Sequence, residues 1–364
     1  MDQNKVYTAI GMMSGTSLDG IDVALVKTDG RDATKLLDFK TYEYDQEMRH
    51  AVKDVFGARE SSKAVDRAAH LVTQAHINAI RAFGHEADVI GFHGQTIHHD
   101  PDKKFTWQIG DCQNLANETG ISVVGDMRQA DIAAGGQGAP LLPLCHRSFA
   151  ASLPKPVAIL NLGGVGNVTW LGKERHDILA FDTGPANAPI DDLVQAKTGE
   201  AYDSNGKRAL AGQPLQRLID QWIDNPFFDQ VPPKSLDRNQ WDVSAVVEFK
   251  LEDAVATLTQ FTVQSVLKSL QHLPDKPRAL YVAGGGRKNK AMMKWLSEAL
   301  DYPVEPVESI GWNGDALEAQ GFAYLAVRSI QGLALTVPTT TGVPEPITGG
   351  LYYSSFDNLA LRPA

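Results

Sequence analysis

The stretch Gly11-Met-Met-Ser-Gly-Thr-Ser-Leu-Asp-Gly-Ile-Asp-Val-Ala-Leu25 decides how the rest of the chain is read. Apolar residues on either side of a polar, glycine-bearing loop predict two strands, over 5–13 and 21–28, joined through Ser14–Gly20. A further run at 36–44 predicts a third strand. The arrangement returns mid-chain. Leu160-Asn-Leu-Gly-Gly-Val-Gly-Asn-Val-Thr-Trp-Leu171 again reads as strand, small-residue turn, strand, with a third strand at 178–185. Each meander is followed by helical sequence. The echo predicts two similar α/β halves with a cleft between them; two unrelated hairpins are the plainer alternative.

Outward from these hairpins, Val65, Ala68, Val72, Ala75, Ala79 and Ala82 recur at helical spacing and predict a helix over 62–83, with Ser61 and Ser62 available as caps. Strands are expected at 87–94, 105–110 and 121–127. Beyond a glycine-rich stretch at 135–140, helices occupy much of 187–272. A buried strand, 278–286, ends in glycines. Helices near 288–300 and 314–331 flank a strand at 303–308. Pro338, Pro344, Pro346 and Pro363 predict an extended surface tail. The expected division is a first lobe over 1–130, a second over 131–334, and a tail from about 335 to 364 packing back on the first.

The 364 residues carry 43% hydrophobic and 21% charged side chains, enough for a large core and against long disorder. A net charge of −10 argues against nucleic-acid and anionic-membrane partners, though a local basic patch at a phosphate site would not contradict it. Cys112 and Cys145 alone build neither a disulfide scaffold nor a four-cysteine zinc site. No signal peptide and no run near the ~20 apolar residues of a membrane span is evident, so a cytoplasmic protein with reduced thiols is expected.

Several residues are placed to carry chemistry. In the loop Ser14–Gly20, glycines let backbone N–H groups turn inward on an anion, and hydroxyls add donors. Asp19 suits Mg²⁺, directly or through water. The loop is no Walker A motif, since no Gly-Lys-Ser/Thr follows; a plain hairpin turn is the alternative. Gly163, Gly164 and Gly166 permit close approach of a ligand, and paired with the first loop they suggest two hairpins gripping a polyphosphate. Asp182 is expected at the end of an apolar strand, where α/β proteins place their sites, or else as a helix N-cap. Gly284, Gly285 and Gly286 suit a flat ring or a phosphate, and equally a tight turn. His93, Gln95 and Thr96, with His98 and His99 behind them, read as polar substrate contacts or surface; no ordered set of ligands accompanies these histidines. Glu318 on an apolar helix reads as a solvated face.

Taken together, GMMSGTSLDGID, HGQT (93–96), GDMRQADIAAGGQGAPL (125–141), NLGGVGNV (161–168), FDTGPAN (181–187) and AGGG (283–286) occur in the order and spacing of a known family. Over 5–350 the chain resembles the 1,6-anhydro-N-acetylmuramic acid kinases of bacterial peptidoglycan recycling. The resemblance implies a duplicated actin-like and hexokinase-like (ribonuclease H-like) ATPase fold, with ATP in the cleft between two lobes. It implies ATP-phosphate contacts from Gly15, Thr16, Ser17, Leu18, Asp19, Gly20, Ile21 and Asp22, with Mg²⁺, and Asp182 as catalytic base. Arg128 and Glu318 match sugar-site motifs, and Asn187 falls within one. Three departures stand out: Ala186 where the family has Gly, Arg128-Gln129-Ala130 in place of three arginines, and Lys234-Ser235-Leu236-Asp237-Arg238-Asn239 for Lys-Ser-Thr-Gly-Arg-Glu.

The expected partners are ATP and a small anhydro amino sugar, with a homodimer as an option for assembly. Because O6 of an anhydro sugar carries no proton, water must attack C1 as O6 leaves toward the γ-phosphorus, with one carboxylate orienting that water. Closure of the lobes on ligand is expected to exclude bulk water. The rivals are a kinase of the same fold acting on an ordinary sugar hydroxyl, and a non-catalytic ATP-gated binding protein.

Overall fold

The computed structural model describes residues 5–16, 18–236 and 241–355. The chain forms two compact units, one taking in residues up to 152 and again from 316, the other spanning 153–315. Ser17 and the run 237–240 lie outside the described residues, as does the end of the tail beyond 355.

The first unit is built on a mixed sheet. Its strands are β1 (Tyr7–Ser14), β2 (Gly20–Thr28), β3 (Thr34–Glu43), β4 (Val89–Asp100), β5 (Phe105–Ile109) and β6 (Val123–Gly125). The order runs β6-β4-β1-β2-β3, with β5 paired to β4. β1–β3 form an antiparallel meander, and β4 and β6 join it in parallel. β1 is apolar on both faces, so both must be covered. Ile10 and Met12 point into a core shared with Val65, Ala68 and Val72 of the helix Lys63–Phe83. Ala9 on the opposite face packs with Ala319, Phe322 and Ala323 of the helix Leu317–Ile330.

That second helix lies almost on the strand backbone. A Cβ on Gly11 would sit 1.7 Å from the carbonyl oxygen of Ala319, and one on its register partner Gly91 would sit 2.0 Å from that of Phe322. Only glycine fits at either place. This seam explains why the expected lobe boundaries do not hold. Residues 131–152 and the helix 317–330 belong to the first unit, because the helix closes the second face of its sheet.

The helix Lys63–Phe83 begins at Ser62, whose side chain accepts from the N–H of Val65, and ends at left-handed Gly84. Val65, Ala68, Val72 and Ala79 are buried as expected and are joined by His76, Ile77, Ile80 and Phe83, while Ala75 is half-buried and Ala82 exposed, because the larger side chains have more area to remove from water. The tail does not simply run extended. Pro338–Thr341 forms a helical turn, and β12 (Leu351–Tyr353) adds an antiparallel strand to β6.

The second unit repeats the plan with β7 (Val157–Leu162), β8 (Val165–Leu171), β9 (Ile178–Pro185), β10 (Leu280–Ala283) and β11 (Val304–Pro306), ordered β11-β10-β7-β8-β9. Again an antiparallel meander comes first, and two strands join it in parallel. Identical order and direction in two sheets make the fold a duplicated α/β unit. Cys112 and Cys145 are buried thiols. No helix among the described residues is long and apolar enough to cross a membrane.

Candidate active site

In the first unit the turn between β1 and β2 is held from beneath. Leu18 adopts a left-handed backbone (φ 59°) and is only 1% exposed. A leucine takes that conformation when its side chain has a core to enter. The N–H of Leu18 donates to the Gly15 carbonyl (3.2 Å), and that of Tyr44 to the Asp19 carbonyl (3.2 Å). Thr16 and Asp19 are exposed at the rim, Gly15 and Gly20 half-buried. Ile21 is buried in the core, so its side chain is no ligand contact.

Gln95 lies behind the same turn. It is wholly buried, and its Nε2 donates to the carbonyls of Gly15 and Thr96, each at 3.3 Å. It braces the turn. Thr96 is half-buried, and its hydroxyl accepts from Gln108 (3.1 Å).

His93, Arg128, Glu318 and Asp22 form one polar cluster in the first unit. Against β1, β4 carries one extra residue around His93 and Gly94, a bulge of the kind that re-aims side chains. His93 Nδ1 donates to the Gly94 carbonyl (2.7 Å), leaving Nε2 to accept from Arg128 Nε (3.2 Å) and Nη2 (3.0 Å). Burial, with Arg128 beside it, pushes the His93 pKa well down, so the ring is a neutral acceptor. Arg128 Nη1 also donates to the Gly138 carbonyl (2.6 Å), and the Gly138 N–H donates to buried Asp131 (2.6 Å), which fixes the glycine-rich stretch.

Burial raises the Glu318 pKa, the charge of Asp22 raises it further, and Arg128 offsets part of the shift. Glu318 is therefore no solvated helix face. Asp22, expected among phosphate contacts, is half-buried, accepts from Thr41 Oγ1 (2.6 Å) and couples to Glu318.

In the second unit, Asp182 lies within β9 rather than at its end. The strand continues because Gly184 and Pro185 still pair with β8, across a bulge that leaves Thr183 as the extra residue. The Asp182 N–H donates to the Lys234 carbonyl (2.9 Å), and its Oδ2 accepts from the N–H of Leu236 (2.8 Å). It caps no helix: the next begins at Asn187, with Ala186 before it. Ala186 keeps a negative φ (−126°), so the methyl group there costs no left-handed strain.

Three further segments meet near the β7–β8 turn. The N–H groups of Ala186 and Asn187 donate to Gly164 and Gly163 (3.0 and 2.9 Å), and Asn187 Nδ2 donates to the Leu162 carbonyl (2.7 Å). Asn187, expected at the sugar, thus stands beside the glycine turns. Around Gly163 and Gly164 a Cβ would meet nothing closer than 3.6 and 3.5 Å, so their bareness serves no internal packing. Gly284 (φ 72°) and Gly286 differ: a Cβ on either would run into Leu162, and Gly286 is buried. Gly285 is exposed, and a Cβ there would lie 3.5 Å from Asn187 Nδ2. The helix Lys290–Ala299 already has its first N–H groups capped by Asn289.

Two contributors escaped the sequence. Arg287, nine-tenths buried, ties the Gly284 carbonyl (2.9 Å) to Glu308 (2.8 Å) and Asp315 (2.9 Å). Lys234 was visible only as part of a run, with nothing to mark it as buried. No group of three or more His, Cys, Asp or Glu side chains that could hold a metal occurs among the described residues.

A family model described as anhydro-N-acetylmuramic acid kinase matches residues 7–355. Proteins named anhydro-N-acetylmuramic acid kinase from Rhizorhabdus wittichii and Zymomonas mobilis are each 48% identical, covering 94% of this chain and 98% of their own. The one from Paramagnetospirillum magneticum is 48% identical over 95% of this chain and 99% of its own. Among solved structures, a xylulose kinase from Lactobacillus acidophilus aligns at a TM-score of 0.45 and 10% identity, covering 96% of this chain and 94% of that one, a likeness that carries no argument by itself.

Proposed function

The chain belongs to the anhydro-N-acetylmuramic acid kinase family, and from that premise we propose that it uses ATP and water to convert 1,6-anhydro-N-acetylmuramic acid to N-acetylmuramic acid 6-phosphate and ADP. It is an ATP-dependent sugar kinase of peptidoglycan recycling, working in the cytoplasm, where ATP is supplied. Water adds to C1, the C1–O6 bond breaks, O6 takes the γ-phosphoryl group, and ADP leaves. One proton of the water goes to Asp182; the other stays on the new C1 hydroxyl. No second carboxyl acid is needed, because phosphorus captures the departing oxygen.

The observation that carries this reading is the Asp182 carboxylate. The N–H of Leu236 holds one of its oxygens at 2.8 Å, on β9, which pairs with the strand β8 that leaves the bare Gly163–Gly164 turn. A backbone N–H bonded to one oxygen orients the carboxylate. Gly163, Gly164 and Gly285 offer backbone to nucleotide phosphates; Gly284 and Gly286 shape the turn behind them. Arg128 and Glu318, oriented through His93 and Asp22, take the sugar's polar groups.

Mg²⁺ rides on substrate phosphates with one or two carboxylates and several waters. Exposed Asp19 fits a water-bridged contact. When bound, the ion would neutralise charge on the phosphoryl group.

The test is product analysis in ¹⁸O-labelled water with the anhydro sugar, ATP and Mg²⁺. Label is expected at C1 of the sugar phosphate and absent from phosphate. Label in inorganic phosphate, with the sugar unchanged, would mean the protein hydrolyses ATP. Faster turnover of free hexoses than of the anhydro sugar would select the ordinary hydroxyl kinase instead.

A further inference from the structure

We infer that Lys234 is a positioning residue for the catalytic base: its buried ammonium anchors the segment Lys234–Leu236, and that segment holds Asp182 at two points. The inference rests on the reading of Asp182 as the base and adds the device that aims it.

Lys234 is 5% exposed. Its Nζ donates to the carbonyls of Phe227 (2.8 Å) and Phe228 (3.1 Å), both in the turn Pro226–Asp229. The ammonium also lies 4.6 Å from the centre of the Phe227 ring and 5.9 Å from that of Phe181, the residue before Asp182. Burying a cation is costly, and an apolar side chain of similar length would fill the space at less expense. Desolvation draws the Lys234 pKa down to about 8, which is the mark of that cost. The lysine is therefore placed for what its charge directs.

What it directs is the backbone on either side. The Lys234 carbonyl accepts from the N–H of Asp182 (2.9 Å), and two residues on, the N–H of Leu236 donates to the Asp182 carboxylate (2.8 Å). One hold fixes the Asp182 backbone and the other fixes its reacting group. Neither hold comes from a regular sheet partner, since the segment belongs to no strand. The ammonium supplies the rigidity that a strand would otherwise give. Without it the segment drifts, the Leu236 N–H moves, and the carboxylate loses its aim on the attacking water. A misplacement of roughly 1 Å costs on the order of 100-fold in rate.

Lys234→Met in the full-length enzyme tests this. With the anhydro sugar, ATP and Mg²⁺, kcat should fall on the order of 100-fold, with both KM values within about threefold of wild type and a cooperative thermal transition retained. A folded variant with wild-type kcat would overturn the inference. So would a raised KM with kcat preserved, which would make Lys234 a binding residue. If Lys234→Met does not fold, Leu236→Pro, which keeps the lysine and deletes the N–H donor together with a buried leucine side chain, should give the same split. Wild-type kcat in that variant overturns the inference, and so does loss of the fold in both, which would make the segment a folding element. Asp182→Asn separates the two levels. Full turnover in Asp182→Asn removes the base itself; an inactive Asp182→Asn beside a fully active Lys234→Met removes only the device proposed for aiming it.

Discussion

The turn after β1 and the turn after β7 occupy equivalent places in two sheets of the same order, and they are built by opposite means. The first is long and stands on side chains: Leu18 enters the core in a left-handed backbone, Gln95 braces Gly15 from below, and Thr16 and Asp19 remain at the rim. The second is short and stands on backbone: the carbonyls of Gly163 and Gly164 accept from the helix start at Ala186–Ala188, and the side of each glycine is left open. The carboxylates differ in the same sense. Asp182 accepts a backbone N–H at its carboxylate, whereas half-buried Glu318 has its pKa raised by burial and by the charge of Asp22. On the proposed reading, one unit carries the base and bare backbone, the other a carboxyl–arginine–histidine cluster.

The contrast breaks most visibly at Asp182. Asp182→Asn keeps the Leu236 N–H partner and the side-chain size but removes the proposed base. We expect kcat to fall by on the order of 10³-fold or more, with nucleotide affinity by calorimetry unchanged. Turnover within tenfold of wild type would hand the base to another group and leave the two units without distinct chemical roles.

The two turns can be separated by a smaller change. Gly163→Ala places a methyl group where nothing in the chain lies within 3.4 Å, so the melting midpoint should stay put. If the open side of the turn takes nucleotide phosphate, KM for ATP rises about tenfold while KM for the sugar holds, a loss of about 1.4 kcal/mol in binding. An unchanged KM for ATP would make the open side plain solvent and move the phosphate contacts to the first turn.

Much of this was legible beforehand because hairpins are local. Apolar flanks around Ser14–Gly20 and Gly163–Gly164 give both meanders, and Ser62 with the apolar spacing after it gives the helix at 63–83. The allegiance of the helix 317–330 was not legible. It depends on Gly11 and Gly91 coming into register and meeting Ala319 and Phe322, contacts spanning more than two hundred residues of chain. The bulges at His93–Gly94 and Thr183 leave no mark in composition, yet they set where His93 and Asp182 point. Gln95 read as a polar contact, since nothing in HGQT says which way a strand residue faces once a bulge intervenes. Lys234 read as one lysine among many, because burial of a cation shows only when the carbonyls that receive it are in place.

The smallest effect bears on the carboxyl contrast. The Glu318 carboxyl has its folded pKa above the ordinary 4.5, first from burial and then from Asp22, with Arg128 opposing. Between 4.5 and the raised value the folded protein binds more protons than the unfolded chain, so stability falls as pH rises through that window. Glu318→Gln removes a group that is ionised at a cost. The melting midpoint should rise on the order of 2 °C at neutral pH and show no gain near pH 4, where wild-type Glu318 is already protonated. The sugar KM should rise in the same variant, since the carboxyl is held in this setting for its ligand. A midpoint that falls at neutral pH would show that Arg128 outweighs burial and Asp22 together. Glu318 would then be a carboxylate stabilised in its charged form, and the two units would differ chiefly in the build of their turns.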